Sequence, residues 1–545
     1  MTLAILRKRR TVLYLSIFIL LASFLWGMFF TKGLPFFWED FEFFHLDNAN
    51  PYTSVPQIIK SYIREFFAPG RFFHAGFETK FSDRPYQYLN NSLLGMLFGD
   101  NILFYKIIKS LIFALSAFLI FFVINRASTL FALLGAFFYI TSPEVWAGLA
   151  YNSDNTLYAQ FFTLLAVAVF FSLLERKYLN NMSLWLFYSL ILVISQFSVL
   201  AKNDARYLAV LCFFTIFLFQ RARIWLHLPM LIALLIFEIP VFGLVSKFFF
   251  GVSQPVINIA SYNSRPFLDS LKTISQNYIF PLTAIGRLNL IVFLIILIVG
   301  ALIMISHHFK RTKSSATGSL IVNEQVFFSF FWFIFALLMV AEAKNFKYEG
   351  LSDYSLVVCT FFIVPFIIFL CNCIPLVTHR AGKFNLPLKG ICAALILTQI
   401  FIFNIPRLNQ FRGGWGNYFC GFDNARKYII KNSQSALVLA INNMKYEPFI
   451  IKNPAFEVRS NMLQPAQNPF ADLDFIRLNL SQGRFKDIYV LKRGEVEFRG
   501  AMKDMALKEK LVLDGDSGDL YDRMKRFIAR PSRPSIYMYR FTASN

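Results

Sequence analysis

The chain has 545 residues, of which 56% are hydrophobic and only 16% charged, whereas about 25% of residues are charged in ordinary soluble proteins. Taken over the whole chain, this composition is not that of a typical soluble protein and predicts an integral membrane protein. The formal net charge of +22 does not indicate a nucleic-acid-binding protein, because the basic residues are spread over short loops between apolar segments instead of forming one solvated basic domain.

The first apolar segment, residues 11–30, follows the basic sequence "RKRR". Its length of 20 residues is sufficient to cross a bilayer. The segment has no small-residue cleavage site and further apolar segments follow it, so we predict a retained membrane anchor rather than a signal peptide. The preceding basic residues predict a cytoplasmic N-terminus.

Ten further apolar segments bring the predicted number of transmembrane helices to about eleven. They cover residues 102–124, 128–142, 157–174, 184–200, 206–220, 226–248, 288–306, 326–341, 355–375 and 389–406. The segments 128–142, 206–220 and 326–341 are short, so each is compatible with a tilted, an extended or a partly re-entrant helix. Alternation from a cytoplasmic N-terminus puts basic residues in all five inner loops, as the positive-inside rule requires.

Residues 407–545 form a polar tail, which eleven crossings place outside the cytoplasm. Segments 435–441, 487–492 and 535–542 have the apolar and aromatic composition of strands and lie among helical stretches. We therefore predict a small extracytoplasmic α/β domain after a transmembrane domain of residues 1–406. No glycine-rich phosphate loop accompanies the strands, which argues against a nucleotide site there.

The first outer loop, residues 31–101, is the longest segment between predicted spans. It begins with "FFWEDFEFFHLDN", in which Glu39, Asp40, His45 and Asp47 lie among phenylalanines and a tryptophan. Apolar neighbours desolvate a carboxyl group and raise its pKa towards the range that suits a general base. Further along, "SVPQIIKSYIREFFAPGRFF" predicts a helix that lies either at the membrane interface or against the protein core.

Four stretches of sequence then follow in a characteristic order. They are "DRPYQYL" with "LFGDN", then "SPEVWAGLAYNSDNTLYAQFF", then "LAKNDARYLAV" and, more loosely, "YEGLSDYSLVVCTFF". Their succession resembles membrane glycosyltransferases of the GT-C superfamily that use polyprenyl-phosphate sugars, in particular the protein O-mannosyltransferase-like and aminoarabinose-transferase-like branches. The resemblance covers mainly residues 10–220. It implies a GT-C fold and a donor that carries one monosaccharide on a polyprenyl phosphate at the outer leaflet.

The resemblance also implies a catalytic carboxylate within "WEDF", where Asp40 is the first candidate and Glu39 the second. The chemistry of the reaction also requires a base such as a carboxylate, because an acceptor hydroxyl is a poor nucleophile until a base removes its proton. Direct displacement at the anomeric carbon inverts the stereochemistry of the sugar. The sequence therefore predicts an inverting transferase.

Cations at the predicted outer ends of the spans would stabilise the departing lipid phosphate. We assign this role to Arg84, Lys202 and Arg206, with ion pairing to neighbouring acids as the structural alternative. The candidate substrate-binding residues are Asp154, Glu144, His45 and Asp47.

We favour a transferase without a metal ion or another cofactor, with a divalent metal ion as the alternative. Family members with pyrophosphate-linked donors use an Asp-x-Asp pair for a divalent ion, and the first outer loop has no such pair. The expected partners are therefore a polyprenyl-phosphate-linked sugar, membrane lipids and a glycan, lipid or protein acceptor. We favour a bacterial inner membrane as the location.

Two other functions remain open at this stage. A transporter or flippase of lipid-linked sugars would explain Glu238, a carboxyl group deep within a predicted span. A non-catalytic scaffold would leave the acids of the first outer loop without a chemical role.

Overall fold

Helices make up most of the structure, and a small sheet follows them. The computed structural model describes residues 2–32, 54–60, 85–152, 155–175, 181–201, 284–310, 318–341, 353–380, 384–441, 455–461, 469–493, 495–500, 507–513 and 536–542, with isolated positions at 34 and between 208 and 232. The helices are α1 (Thr2–Thr31), α2 (Pro85–Phe98), α3 (Ile102–Ile124), α4 (Thr129–Thr141), α5 (Pro143–Ala150), α6 (Thr156–Glu175), α7 (Asn181–Ala201), α8 (Ala284–Lys310), α9 (Gly318–Ala341), α10 (Asp353–Arg380), α11 (Asn385–Thr398), α12 (Ile405–Asn432) and α13 (Leu473–Ser481). The strands are β1 (Ala436–Ile441), β2 (Phe456–Asn461), β3 (Asp487–Arg493), β4 (Leu507–Leu513) and β5 (Ile536–Thr542).

Several helices are long and apolar enough to cross a membrane. Within the ranges given above, five meet this criterion: Arg10–Thr31, Ile102–Ile124, Thr156–Leu174, Thr360–His379 and Asn385–Leu408. The pair α4 and α5 adds a sixth if these two helices, bent by 52° at their junction, form one span. The helical character and the apolar helices agree with the predicted membrane protein, whereas the count of eleven spans and the GT-C fold stay predictions.

The remaining predicted spans differ in how far the structure covers them. Helices α7, α8 and α9 lie where spans are predicted and contain the shorter apolar stretches Leu186–Ser195, Ile291–Ile303 and Glu324–Leu338. Segments 206–220 and 226–248 fall largely outside the described residues. The predicted short segment 128–142 forms α4, which ends at the bend into α5.

Phenylalanine, present in 68 copies, packs the helices against one another. Phe170 of α6 lies 5.4 Å from Phe328 of α9 between ring centroids. Phe330 of α9 lies 5.3 Å from Phe369 of α10, and Phe333 lies 5.6 Å from Phe366. Tilted ring pairs at such distances are favourable because the ring edge meets the ring face. These phenylalanines of α6, α9 and α10 thus pack one helix against another.

Helices α8 and α10 approach each other closely at Gly300. A Cβ atom at this position would lie 2.7 Å from Cys373 Sγ and 3.1 Å from Cys373 Cβ, whereas a Cβ at Gly390 of α11 would meet no atom within 4 Å. We expect Gly300→Val to destabilise the bundle by about 1–3 kcal/mol, the usual cost of overpacking. Gly390→Val is the matched control and should be nearly neutral. Thermal unfolding in lipid nanodiscs compares the two, and equal midpoints would contradict the close packing.

One continuous helical rod runs from Asn385 to Asn432 through a π-helical turn, Gln399–Asn404. In this turn the N–H of Ile405 donates to the carbonyl oxygen of Ile400, five residues earlier. Pro406 explains the wide turn, because it has no N–H to donate and its ring clashes with the carbonyl four residues before it. The rod passes through the predicted domain boundary at 406/407 and carries the chain from the last apolar helix to the sheet.

The sheet has the strand order β2-β1-β3-β5-β4. Strand β1 pairs in parallel with β2 and β3, whereas β5 pairs antiparallel with β3 and β4. All residues of β1, "ALVLAI", are buried, because helices cover both faces of the sheet. Val438 on one face belongs to the same core as Ile429 of α12, and Leu439 on the other face shares a core with Ile476 of α13. These elements form the predicted α/β unit.

A largely buried ion pair fixes the end of α12 to the sheet. Arg540 of β5 donates from Nε to Asp487 Oδ1 at 3.0 Å and from Nη2 to Asp487 Oδ2 at 3.2 Å. Its Nη2 also donates to the carbonyl oxygen of Asn432 at 3.1 Å, and Ser433 Oγ donates to Asp487 Oδ2 at 2.7 Å. The hydrogen bond with Asp487 raises the pKa of the Arg540 guanidinium above its ordinary value. The rod is therefore held to the sheet by both charge and hydrogen bonds.

Candidate functional site

Of the predicted site residues, Glu144 is the one whose surroundings the structure describes. The others lie outside the described residues: Glu39, Asp40, His45, Asp47, Arg84, Asp154, Lys202 and Arg206. Their roles stay predictions. The described part of the site therefore consists of Glu144 and of the groups around it.

Glu144 lies in the first turn of α5, a short helix in which all eight residues are buried. Sequence explains why a new helix begins here. Ser142 precedes a proline and has extended dihedral angles (φ −69°, ψ 123°), which ends α4. Pro143 then occupies the start of α5, where a missing N–H costs nothing. This break bends the chain and places a carboxylate at a helix N-terminus, the end that favours negative charge.

The Glu144 side chain is 2% exposed and has a cation beside it. Its Oε1 lies 3.9 Å from Nη1 of Arg407, whose side chain is 15% exposed. A buried carboxylate needs such compensation, because removal from water costs several kcal/mol per ion. The backbone carbonyl of Glu144 also accepts a hydrogen bond from Thr360 Oγ1 at 3.0 Å. Glu144 is thus held by a hydrogen bond from α10 to its backbone and by an ion pair from the rod to its side chain.

A chain of buried hydrogen bonds extends from this point through the bundle. Tyr139 of α4 donates its hydroxyl to Gln160 Oε1 at 3.0 Å. Gln160 of α6 in turn donates from Nε2 to the carbonyl oxygen of Thr360 at 3.0 Å. Because Thr360 donates to Glu144, the chain connects α4, α6, α10 and α5. Such satisfied networks hold their members in one arrangement.

The π-helical turn contributes a second group of buried amides. Gln399 Nε2 donates to Asn404 Oδ1 at 3.3 Å, and Asn404 Nδ2 donates to Thr141 Oγ1 at 3.4 Å. Thr141 is the last residue of α4, next to the bend before Glu144. The rod is therefore joined to α4 one turn before Arg407.

Two buried lysines of α3 lie at the same end of the bundle. Lys106 Nζ donates to the carbonyl oxygen of Leu34, close to the start of the predicted first outer loop. Lys109, which is 1% exposed, donates from Nζ to the carbonyl oxygen of Gly148 in α5 at 3.4 Å, and its Nζ lies 5.3 Å from the ring centroid of Tyr158. Ionisable groups within apolar helices are rare and are functional candidates by default.

The motif "LFGDN" forms the turn that leads into α3. Gly99 has φ +52°, a left-handed conformation that favours glycine, and its N–H donates to the carbonyl oxygen of Gly95 at 2.9 Å. Tyr105 donates its hydroxyl to the carbonyl oxygen of Gly99 at 2.7 Å. Nearby, Asn90 Nδ2 of α2 donates to Asn155 Oδ1 at 3.1 Å. The motif thus has a structural role, since it sets the direction of the lysine-bearing helix.

These contacts bring together the start of α3, the end of α4, α5, the starts of α6 and α10, and Arg407. We call this end of the bundle the Glu144 end. The opposite end is marked by Arg126, whose Nη2 donates to Ser172 Oγ near the end of α6 at 2.8 Å. Helices α3 and α6 therefore end at the same side of the bundle, as expected if α3, α4 and α6 cross it in alternating directions. That the Glu144 end faces away from the cytoplasm is the prediction of the positive-inside rule.

Three charged residues of this end, Lys106, Lys109 and Arg407, are absent from the predicted site. The two lysines lie inside an apolar segment whose average composition hides them, although their spacing of three residues places them on one helix face. Arg407 stands at the start of the polar tail, where a basic residue is unremarkable. Contact between Arg407 and Glu144 bridges 263 residues and leaves no signal in a single sequence.

Other candidate chemistry is limited in the part of the chain that the structure covers. No group of three or more His, Cys, Asp or Glu residues is placed there to hold a metal ion. The described cysteines, Cys212, Cys371, Cys373 and Cys392, are buried free thiols. They suit helix packing.

No protein-family model matches the chain, and no curated protein matches it. The resemblance to GT-C glycosyltransferases therefore rests on the sequence motifs, and the chemistry of the Glu144 end carries the functional proposal.

Proposed function

We propose that the chain is an inverting glycosyltransferase that moves a monosaccharide from a polyprenyl-phosphate donor to a hydroxyl group of a glycan, lipid or protein. The reaction takes place at the extracytoplasmic face of a membrane, which we propose to be a bacterial inner membrane. The observation that carries the proposal is the convergence of buried charges at one end of an apolar bundle, beside the chain that leads to "WEDF". The buried charges are Lys106, Lys109 and Glu144, and the half-buried Arg407 lies beside Glu144.

In the proposed reaction Asp40, or Glu39 in its place, accepts the proton of the acceptor hydroxyl. The acceptor oxygen forms a bond to the anomeric carbon as the bond from that carbon to the phosphate oxygen breaks. Polyprenyl phosphate leaves with the electron pair, and the sugar configuration is inverted. Arg84, Lys202 and Arg206 stabilise the charge that develops on the phosphate.

Glu144 has a binding role in this scheme. An ionised carboxylate is a hydrogen-bond acceptor only, and sugar hydroxyl groups are donors. Its position in a fully buried helix fixes the direction in which it accepts. Asp154, His45 and Asp47 are the other proposed substrate contacts. The scheme uses no metal ion.

Buried lysines within apolar helices would also suit a transporter or flippase of the same lipid-linked sugars. Proteoliposomes with a labelled hexose or pentose polyprenyl monophosphate separate the two functions. A transferase converts the donor to free polyprenyl phosphate only when acceptor is present. A flippase moves intact donor between leaflets and leaves the sugar–phosphate bond unbroken, and that result would overturn the proposal.

A further inference from the structure

Arg407 occupies a special place in the fold, because it belongs both to the Glu144 end and to the rod that carries the sheet. It lies in the first turn of α12, three residues after the π-helical turn. The last turn of the same helix, at Asn432, is bonded to Arg540 of the sheet. Arg407 is thus the point at which the rod meets the buried carboxylate of Glu144.

The π-helical turn determines which way Arg407 faces. Compared with a regular helix, a π-helical turn holds one extra residue, and one residue rotates everything that follows by about 100°. Asn404 is bonded to Thr141 in this rotated register, and Arg407, three residues later, lies on the same helix face next to Glu144. Asn404 and Pro406 together therefore specify the contact.

The geometry of the ion pair leaves the carboxylate able to bind something else. The guanidinium approaches at 3.9 Å through a single nitrogen, so it does not form the two-pronged fork that occupies both carboxylate oxygens. Within the described residues, Glu144 Oε1 is buried and accepts no hydrogen bond. Buried polar atoms without a bond call for an explanation, and a ligand is one of the recognised explanations.

We propose that Arg407 is a positioning residue of the glycosyl transfer, which keeps the Glu144 carboxylate charged and correctly placed for hydrogen bonds from the sugar of the donor. The inference rests on the proposed function and deepens it. It assigns a polyhydroxylated ligand to Glu144 and makes the rod part of the substrate site. Because the rod leads to the sheet, the contact between Arg407 and Glu144 also connects the sheet to the substrate site.

Variants of Arg407 test the proposal in the full-length protein, with the same labelled polyprenyl-phosphate sugar as donor. We expect Arg407→Gln to lower kcat/KM by about 100-fold, the scale of loss when a substrate-positioning group moves by about 1 Å. Arg407→Lys should recover most of the activity, because a single-nitrogen contact needs the charge and not the planar fork. Arg426→Gln is the control on the same helix. Arg426 pairs with Asp423 within α12, so its loss should leave transfer unchanged.

A double-mutant cycle separates positioning from general damage. Glu144→Gln should lose as much activity as Arg407→Gln, and the double variant should be no worse than either single variant, since all three break the same contact. The double variant also has no uncompensated buried charge, so it remains informative where Arg407→Gln alone fails to fold.

Three outcomes would overturn the inference while the proposed function stands. They are full activity of Arg407→Gln or of the folded double variant, equal losses for Arg407→Gln and Arg407→Lys, and losses that multiply in the double variant. A wild-type protein that transfers no sugar from any hexose or pentose donor overturns the proposed function, and the inference with it.

Discussion

Replacing Asp40 by asparagine is expected to lower the rate of glycosyl transfer by about 10²- to 10⁴-fold, the usual contribution of a general base. Asparagine has the shape of aspartate but cannot accept the proton of the acceptor hydroxyl. Binding of the donor should change little, so the loss should appear in kcat and not in KM. Release of labelled polyprenyl phosphate by the purified protein measures it.

Two neighbouring variants complete this test. Glu39→Gln should cost less than Asp40→Asn, and a reversal of this order would identify Glu39 as the base. Glu42→Gln, in the same loop but without an assigned role, is the matched control and should retain wild-type turnover. Wild-type kcat in both Asp40→Asn and Glu39→Gln would contradict a base in "WEDF".

Insertion of one alanine after Ile402 is expected to have the second large effect. The π-helical turn already holds one residue more than a regular turn, so a second extra residue rotates the following rod by about 100° and shifts it by about 1.5 Å. Asn404 then loses Thr141, and Arg407 loses Glu144. A buried carboxylate left without its partner destabilises a protein by about 3–5 kcal/mol, so we expect a clear fall in the thermal unfolding midpoint together with loss of transfer.

The control for the insertion keeps the number of residues constant. Ile402 is 52% exposed on the outside of the bundle, so Ile402→Ala should change neither stability nor transfer appreciably. Similar unfolding midpoints for the insertion variant and the wild-type protein would show that the register of the rod does not set the contact. Because the rod carries the sheet, the same pair of variants also tests whether the stability of the sheet depends on this contact.

The strands show what a single sequence can and cannot predict. Strands β1, β3 and β5 are predicted within a residue or two, because they lie in the middle of the sheet and are largely apolar. Strands β2 and β4 are not among the predicted strands. Both are edge strands, and their sequences "FEVRSN" and "LKEKLVL" carry charged residues beside the apolar ones, as edge strands often do.

The site is predictable only in part, for a different reason. Glu144 is recognisable because it follows an apolar segment and precedes a polar turn. Its partners Arg407 and Thr360 lie more than 200 residues away in sequence, so only the packing of helices brings them together. The bend at Ser142 and Pro143 can be predicted from the local sequence, because proline disfavours a helical conformation of the residue before it. The direction in which Arg407 faces cannot be predicted in this way, because it depends on the π-helical turn.

Product analysis with the wild-type protein tests the proposed function most directly. The purified protein in lipid nanodiscs receives a polyprenyl monophosphate that carries a hexose or pentose in one defined anomeric configuration, together with an acceptor. We expect free polyprenyl phosphate and glycosylated acceptor in equal amounts, with the opposite anomeric configuration in the product by NMR. Retained configuration would contradict direct displacement, and intact donor with every sugar and acceptor class would contradict glycosyl transfer itself.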